Sequence, residues 1–67
     1  MDVDKRLDEI ETLLNLGEWG RPYDLIEDLE YWLKYSAPYG PLPKEQNKRF
    51  KRLQKKLSEN FKNWRER

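Results

Sequence analysis

The sequence predicts an all-α protein: a small three-helix bundle made of an antiparallel helical hairpin and a longer, basic third helix. Three observations predict it. Apolar residues recur at spacings of three and four in three separate segments. Two clusters of Gly and Pro divide those segments, and nowhere does polarity alternate with a period of two over strand length.

The first helix is expected over residues 2–16. Val3, Leu7, Ile10, Leu13 and Leu14 share one arc at about 100° per residue, while Asp4, Asp8, Glu9 and Glu11 lie elsewhere. Asp2 is the expected N-cap, Asp4 suits the positive end of the helix dipole, and Gly17 is a natural residue just past the C-terminus. The second helix is expected over 21–36, with Pro22 at its first position, where a missing N–H costs nothing. Asp24, Glu27 and Asp28 fill its early turns, Lys34 lies near its end, and Leu25, Ile26, Leu29, Trp32 and Leu33 form its apolar arc.

The third helix is expected over 43–65, with a narrow apolar stripe of Phe50, Leu53, Leu57, Phe61 and Trp64 on an otherwise basic surface. That stripe spans about 21 Å and the one from Val3 to Leu16 about 20 Å, so helix 3 is expected to bury its whole stripe along the hairpin. The Gly17–Gly20 connection is short, which makes helices 1 and 2 antiparallel. The connection from Ala37 to Pro43 carries three prolines that stiffen it into extended and turn conformations.

At 67 residues the chain is a single domain, 1–67, near the lower size limit for independent folding. It has no Cys and no His, so no disulfide supplements its core, and a homodimer is a live alternative to the monomer. No segment reads as a signal peptide or membrane span; a cytoplasmic location and no membrane association are expected.

The search for chemistry excludes most enzyme classes. Without Cys or His, Ser36 and Ser58 have no activating base, and structural zinc has no soft ligand. The Gly17–Gly20 stretch matches neither the P-loop nor the dinucleotide spacing. Asp4, Asp8 and Glu11 on one helix, and Asp24, Glu27 and Asp28 on the next, read as solvated acidic faces rather than a cation site. No catalytic residue, cofactor or metal is expected.

What remains is binding. The charge is sharply divided: through Leu33 the chain carries ten acids and three bases (net −7), and beyond it eleven bases and three acids (net +8). The outer face of helix 2, with Asp24, Asp28, Tyr31 and Tyr35, is the expected protein-binding surface, because exposed tyrosines are enriched at interfaces. Trp19 and Tyr39, in the two connections, could extend that surface or simply cover the bundle's ends. Lys44, Lys48, Arg49, Lys51, Arg52, Lys55, Lys56 and Lys62 fall on the far side of helix 3 from its stripe. Among them Lys48, Arg52, Lys55 and Lys56 are the candidates for an anionic partner such as a nucleic-acid backbone. The expected function is a non-catalytic regulatory module, an adaptor or inhibitor, binding a protein first and a nucleic acid as the alternative.

Overall fold

The computed structural model describes residues 2–35 and 42–66. The described residues form three helices and no strand: α1 (Val3–Asn15), α2 (Gly20–Tyr35) and α3 (Lys44–Arg65). Residues 37–41 of the expected stiff connection, Tyr39 among them, lie outside the described residues, as does Ser36, the expected last residue of the second helix.

Both ends of α1 and the start of α2 have a local chemical reason. The Asp2 side chain caps α1 by accepting from the Lys5 N–H at 3.1 Å. At the other end Glu18 N–H donates to the Leu13 carbonyl and Gly17 N–H to that of Leu14, the paired bonds of a Schellman turn. Gly17 sits at φ +85°, a backbone region costly for any residue with a Cβ. The second helix begins one residue earlier than expected, at Gly20, with Tyr23 N–H donating to the Trp19 carbonyl at 2.9 Å. Pro22 therefore stands at the third helical position, not the first. Its missing N–H is still harmless, because the opening N–H groups of a helix have no intrahelical acceptor.

The core is small. Leu7, Ile10 and Leu14 of α1 meet Ile26 and Leu29 of α2 and Phe50 and Leu53 of α3; Val3, Leu25, Trp32, Leu33, Leu42 and Leu57 pack partly buried around them. Pro22 joins the fully buried side chains. Cross-helix contacts fix the directions. Asp4 accepts from Gln46, Asp8 from Arg49 and Glu11 from Arg52, so α1 and α3 run parallel, and α2 runs opposite to both. The first helix packs against both others, whereas α2 and α3 touch each other less.

Two expectations about the core need correction. Leu16, placed at the end of the first apolar stripe, caps α1 from outside and is exposed. The stripe of α3 is not buried along its length: Phe61 and Trp64 are 38% and 54% exposed. The cause is axial. The hairpin turn ends level with Asn60, whose amide donates to the carbonyls of Leu14 at 2.9 Å and Glu18 at 3.0 Å, and α3 continues past it. Asn60 is the only buried polar side chain among the described residues, and it ties the C-terminal part of α3 to the last turn of α1 and the connection after it.

Replacing Asn60 by Ala would remove both bonds, leaving the Glu18 carbonyl without this donor while that of Leu14 keeps the Gly17 N–H. The expected cost is about 1–3 kcal/mol of stability, with Tm falling by about 4–8 °C for each kcal/mol. Thermal unfolding followed by circular dichroism checks it, with the exposed Asn63→Ala as control; equal Tm values for the two variants would contradict the role given to Asn60.

Candidate functional site

The outer face of α2 carries Asp24, Asp28, Tyr31 and Tyr35, spaced four, three and four apart, which places them within about 60° of one another around the helix. All four side chains are exposed. The two tyrosine rings stack on each other at 4.7 Å between centroids, tilted by 48°, while remaining 66% and 64% exposed. Lys34 approaches the Tyr35 ring at 5.3 Å. No salt bridge claims Asp24 or Asp28 among the described residues, and Asp24 also lines an open groove with Arg21, Lys5 and Leu25 between α1 and α2. The four residues named from the sequence are therefore brought together on one surface.

Trp19 does not join them. Its ring sits at the far end of α2, edge-on to Phe61 at 4.9 Å and tilted against Trp64 at 4.9 Å. Of the two roles open to it, covering the bundle's end is the one the structure gives it. Tyr39 lies outside the described residues.

The basic helix divides by residue type. Arg49 turns inward to pair with Asp8 and, at 3.3 Å, with Glu11, rather than outward as its place on the charged side of the stripe led us to expect. Arg52 shares the same Glu11 carboxylate at 3.3 Å, although its own side chain is largely exposed. The hydrogen bond from Arg49 to Asp8, and after it that to Glu11, raises the Arg49 pKa above its ordinary value against the opposing effect of burial. Because the shift is upward, the contribution of this charge is complete below that value and is lost only as pH climbs beyond it. The lysines behave differently. Lys48, Lys55 and Lys56 are exposed, and no carboxylate pairs with them among the described residues. Of the four candidates for an anionic partner, three stand unpaired and Arg52 is partly committed to the fold.

The carboxylates that could be imagined around a cation are already used. Asp4 accepts from Gln46 at 2.9 Å, and Asp8 and Glu11 receive the two arginines. Among the described residues no three acidic side chains converge as a metal site would require. No helix is long and apolar enough to cross a membrane.

Asn60 and the aromatic group of Trp19, Phe61 and Trp64 are the features that pattern reading missed. Asn60 stands three residues after Leu57, where the stripe calls for an apolar side chain. A polar amide at such a position is the signal that could have marked it as a buried cap. No family model, curated protein or solved structure matches this chain.

Arg49→Gln is expected to lower stability by about 1 kcal/mol at low salt, since its partners are partly exposed. The deficit should shrink in 1 M salt, where the Debye length is about 3 Å. Lys48→Gln should leave stability unchanged at either salt. Urea unfolding of the three proteins at both salt levels measures it, and an Arg49 deficit that does not respond to salt would contradict the ionic account.

Proposed function

We propose that this chain is a non-catalytic binding module that acts on a protein partner, as an adaptor or inhibitor, through the outer face of α2. One observation carries the reading: Tyr31 and Tyr35 are stacked on each other yet left about two-thirds exposed. Large aromatic side chains give up much apolar area when covered, and a pair already held in contact has less rotamer freedom left to lose on binding. Asp24 and Asp28 continue the strip with unpaired negative charge. The complementary partner surface carries Lys or Arg opposite the carboxylates and an apolar or guanidinium group over the rings. The acidic groups would speed and orient the encounter, and the tyrosines would supply most of the affinity.

A second reading rests on a separate observation. Lys44, Lys48, Lys51, Lys55 and Lys62 share one face of α3 within about 60°, over about 27 Å of helix. All are exposed and none is ion-paired among the described residues. Such a ridge fits a phosphate backbone, with few neighbouring side chains suited to base edges, so contact would be independent of sequence.

For the first reading, Tyr31→Ala combined with Tyr35→Ala should weaken a partner captured from native lysate by about 100-fold or more, with helicity by circular dichroism unchanged. An undiminished complex would remove the α2 face from consideration. For the second, affinity for generic duplex should fall with a slope of about −4 to −5 in log salt, as five neutralised phosphates require. Absence of binding to duplex or single strand at low salt would end it.

A further inference from the structure

The bundle has three seams, and the one between α2 and α3 is the least packed. With α2 and α3 touching less than either touches α1, the seam between them holds a groove of about 370 Å³ lined by Trp19, Tyr23, Leu57, Ser58 and Phe61. Its wall is almost entirely carbon. Trp19 packs edge-on to Phe61 and against Trp64, so the rings at its mouth are fixed by one another. Tyr23 and Trp64 are about half exposed, and Leu16 beside the turn more so. At about 150–250 Å² per aromatic side chain, the uncovered apolar surface at this end comes to about 400 Å². That is as large as the biggest patch of an ordinary monomer, on a chain whose total accessible surface is 5186 Å².

The lips of the seam carry opposite charge. On the α2 side Tyr23, Glu27, Glu30 and Lys34 fall on one face by their spacing of four, three and four. That face borders α3, because Gln54 donates to Glu30 at 2.6 Å across the seam. On the α3 side Lys51, Lys55 and Lys62 flank Ser58. One lip is mainly acidic and the other basic.

We propose that a second copy of this chain covers the α2–α3 seam, related by a two-fold axis running along it. That operation sets the acidic α2 lip of each copy against the basic α3 lip of the other, with the facing helices antiparallel, and brings the two aromatic ends side by side. The product is a four-helix core of two α2 and two α3 helices with an α1 on each outer side. The apolar patch supplies about half of the 800 Å² that a standard interface buries on each side, and the charged lips supply the rest. Any other occupant would need an acidic and a basic ridge flanking an apolar strip; this chain already has all three. Heights along the axis agree. Glu30 and Gln54 are level, so Glu27 lies about 4.5 Å nearer the hairpin turn and Lys55 about 1.5 Å nearer, a difference that a lysine side chain spans easily.

The test is the mass of the full chain by light scattering and sedimentation from micromolar to millimolar concentration. The expected mass is that of two 8.3 kDa chains. Glu27→Lys and Lys55→Glu, both at exposed positions, should each weaken the dimer by about 10-fold or more, and the combined variant should recover most of the loss. Phe61→Ser should also weaken it, with helicity retained. A monomer at every concentration would overturn the proposal. So would a dimer indifferent to both charge reversals, a combined variant no better than either single one, or a dimer broken by Tyr31→Ala with Tyr35→Ala but not by Glu27→Lys.

Discussion

The amide of Asn60, donating to the carbonyls of Leu14 and Glu18, is the contact on which the rest of the arrangement depends. A helix end leaves four carbonyls without intrahelical donors, and here the end of α1 is turned toward α3. The Schellman turn at Gly17 satisfies some of those carbonyls from within, and Asn60 brings donors from outside. Because both bonds must form together, the height of α3 against the hairpin is set to within a fraction of a turn. A folded domain of this size has a net stability of about 3–10 kcal/mol, so a contact worth one to three is a large part of the whole.

That height decides which residues face outward at the turn. If α3 slid one turn toward its own N-terminus, Phe61 would move under the hairpin, but Asn60 would lose both carbonyls and Arg49 would leave Asp8. The structure keeps the polar contacts and leaves Phe61 and Trp64 partly exposed against Trp19. Exposed aromatics at this end are therefore the consequence of satisfying a buried helix terminus. The electrostatics follow the same register. Arginines meet carboxylates at the α1–α3 seam, where a planar fork can bond two partners at once, and lysines face away, where a hydrated ammonium is at ease.

Much of the fold can be read from spacing alone. Three apolar stripes, Asp2 as a cap and Gly17 as a terminator require only the geometry of one helix, and each stands where that geometry puts it. The tyrosine strip was legible for the same reason: positions 24, 28, 31 and 35 share a face whatever the helix packs against. What spacing does not contain is the offset of one helix along another. The inward turn of Arg49, the exposure of Phe61 and Trp64, and the task of Asn60 all arise from that offset, so pattern arithmetic assigned Arg49 outward and the two aromatics inward. Trp19 illustrates the limit most plainly. As a turn residue it could have extended the tyrosine surface or covered the bundle's end, and its place is settled by Phe61 and Trp64, more than forty residues away in sequence.

The two outward aromatic groups differ in what covering them would do to the chain. Tyr31 and Tyr35 belong to one helix, one turn apart, and a molecule laid over them touches neither α1 nor α3. Its binding would require α2 to be helical, but would add no bridge between α2 and either neighbour. Trp19, Tyr23, Leu57 and Phe61 come from the turn, α2 and α3, and meet at the seam where the bundle is least packed. An occupant there bridges two elements that the chain itself joins weakly, so it binds the folded form and not the unfolded one. By mass action such binding adds to the stability of the fold as the logarithm of one plus the ratio of free occupant to its Kd. With seven buried apolar side chains in its core cluster and no cysteine to form a disulfide, the fold gains most from contacts at that seam. Recognition on the tyrosine face of α2 therefore uses one folded element, whereas at the α2–α3 seam it also joins two.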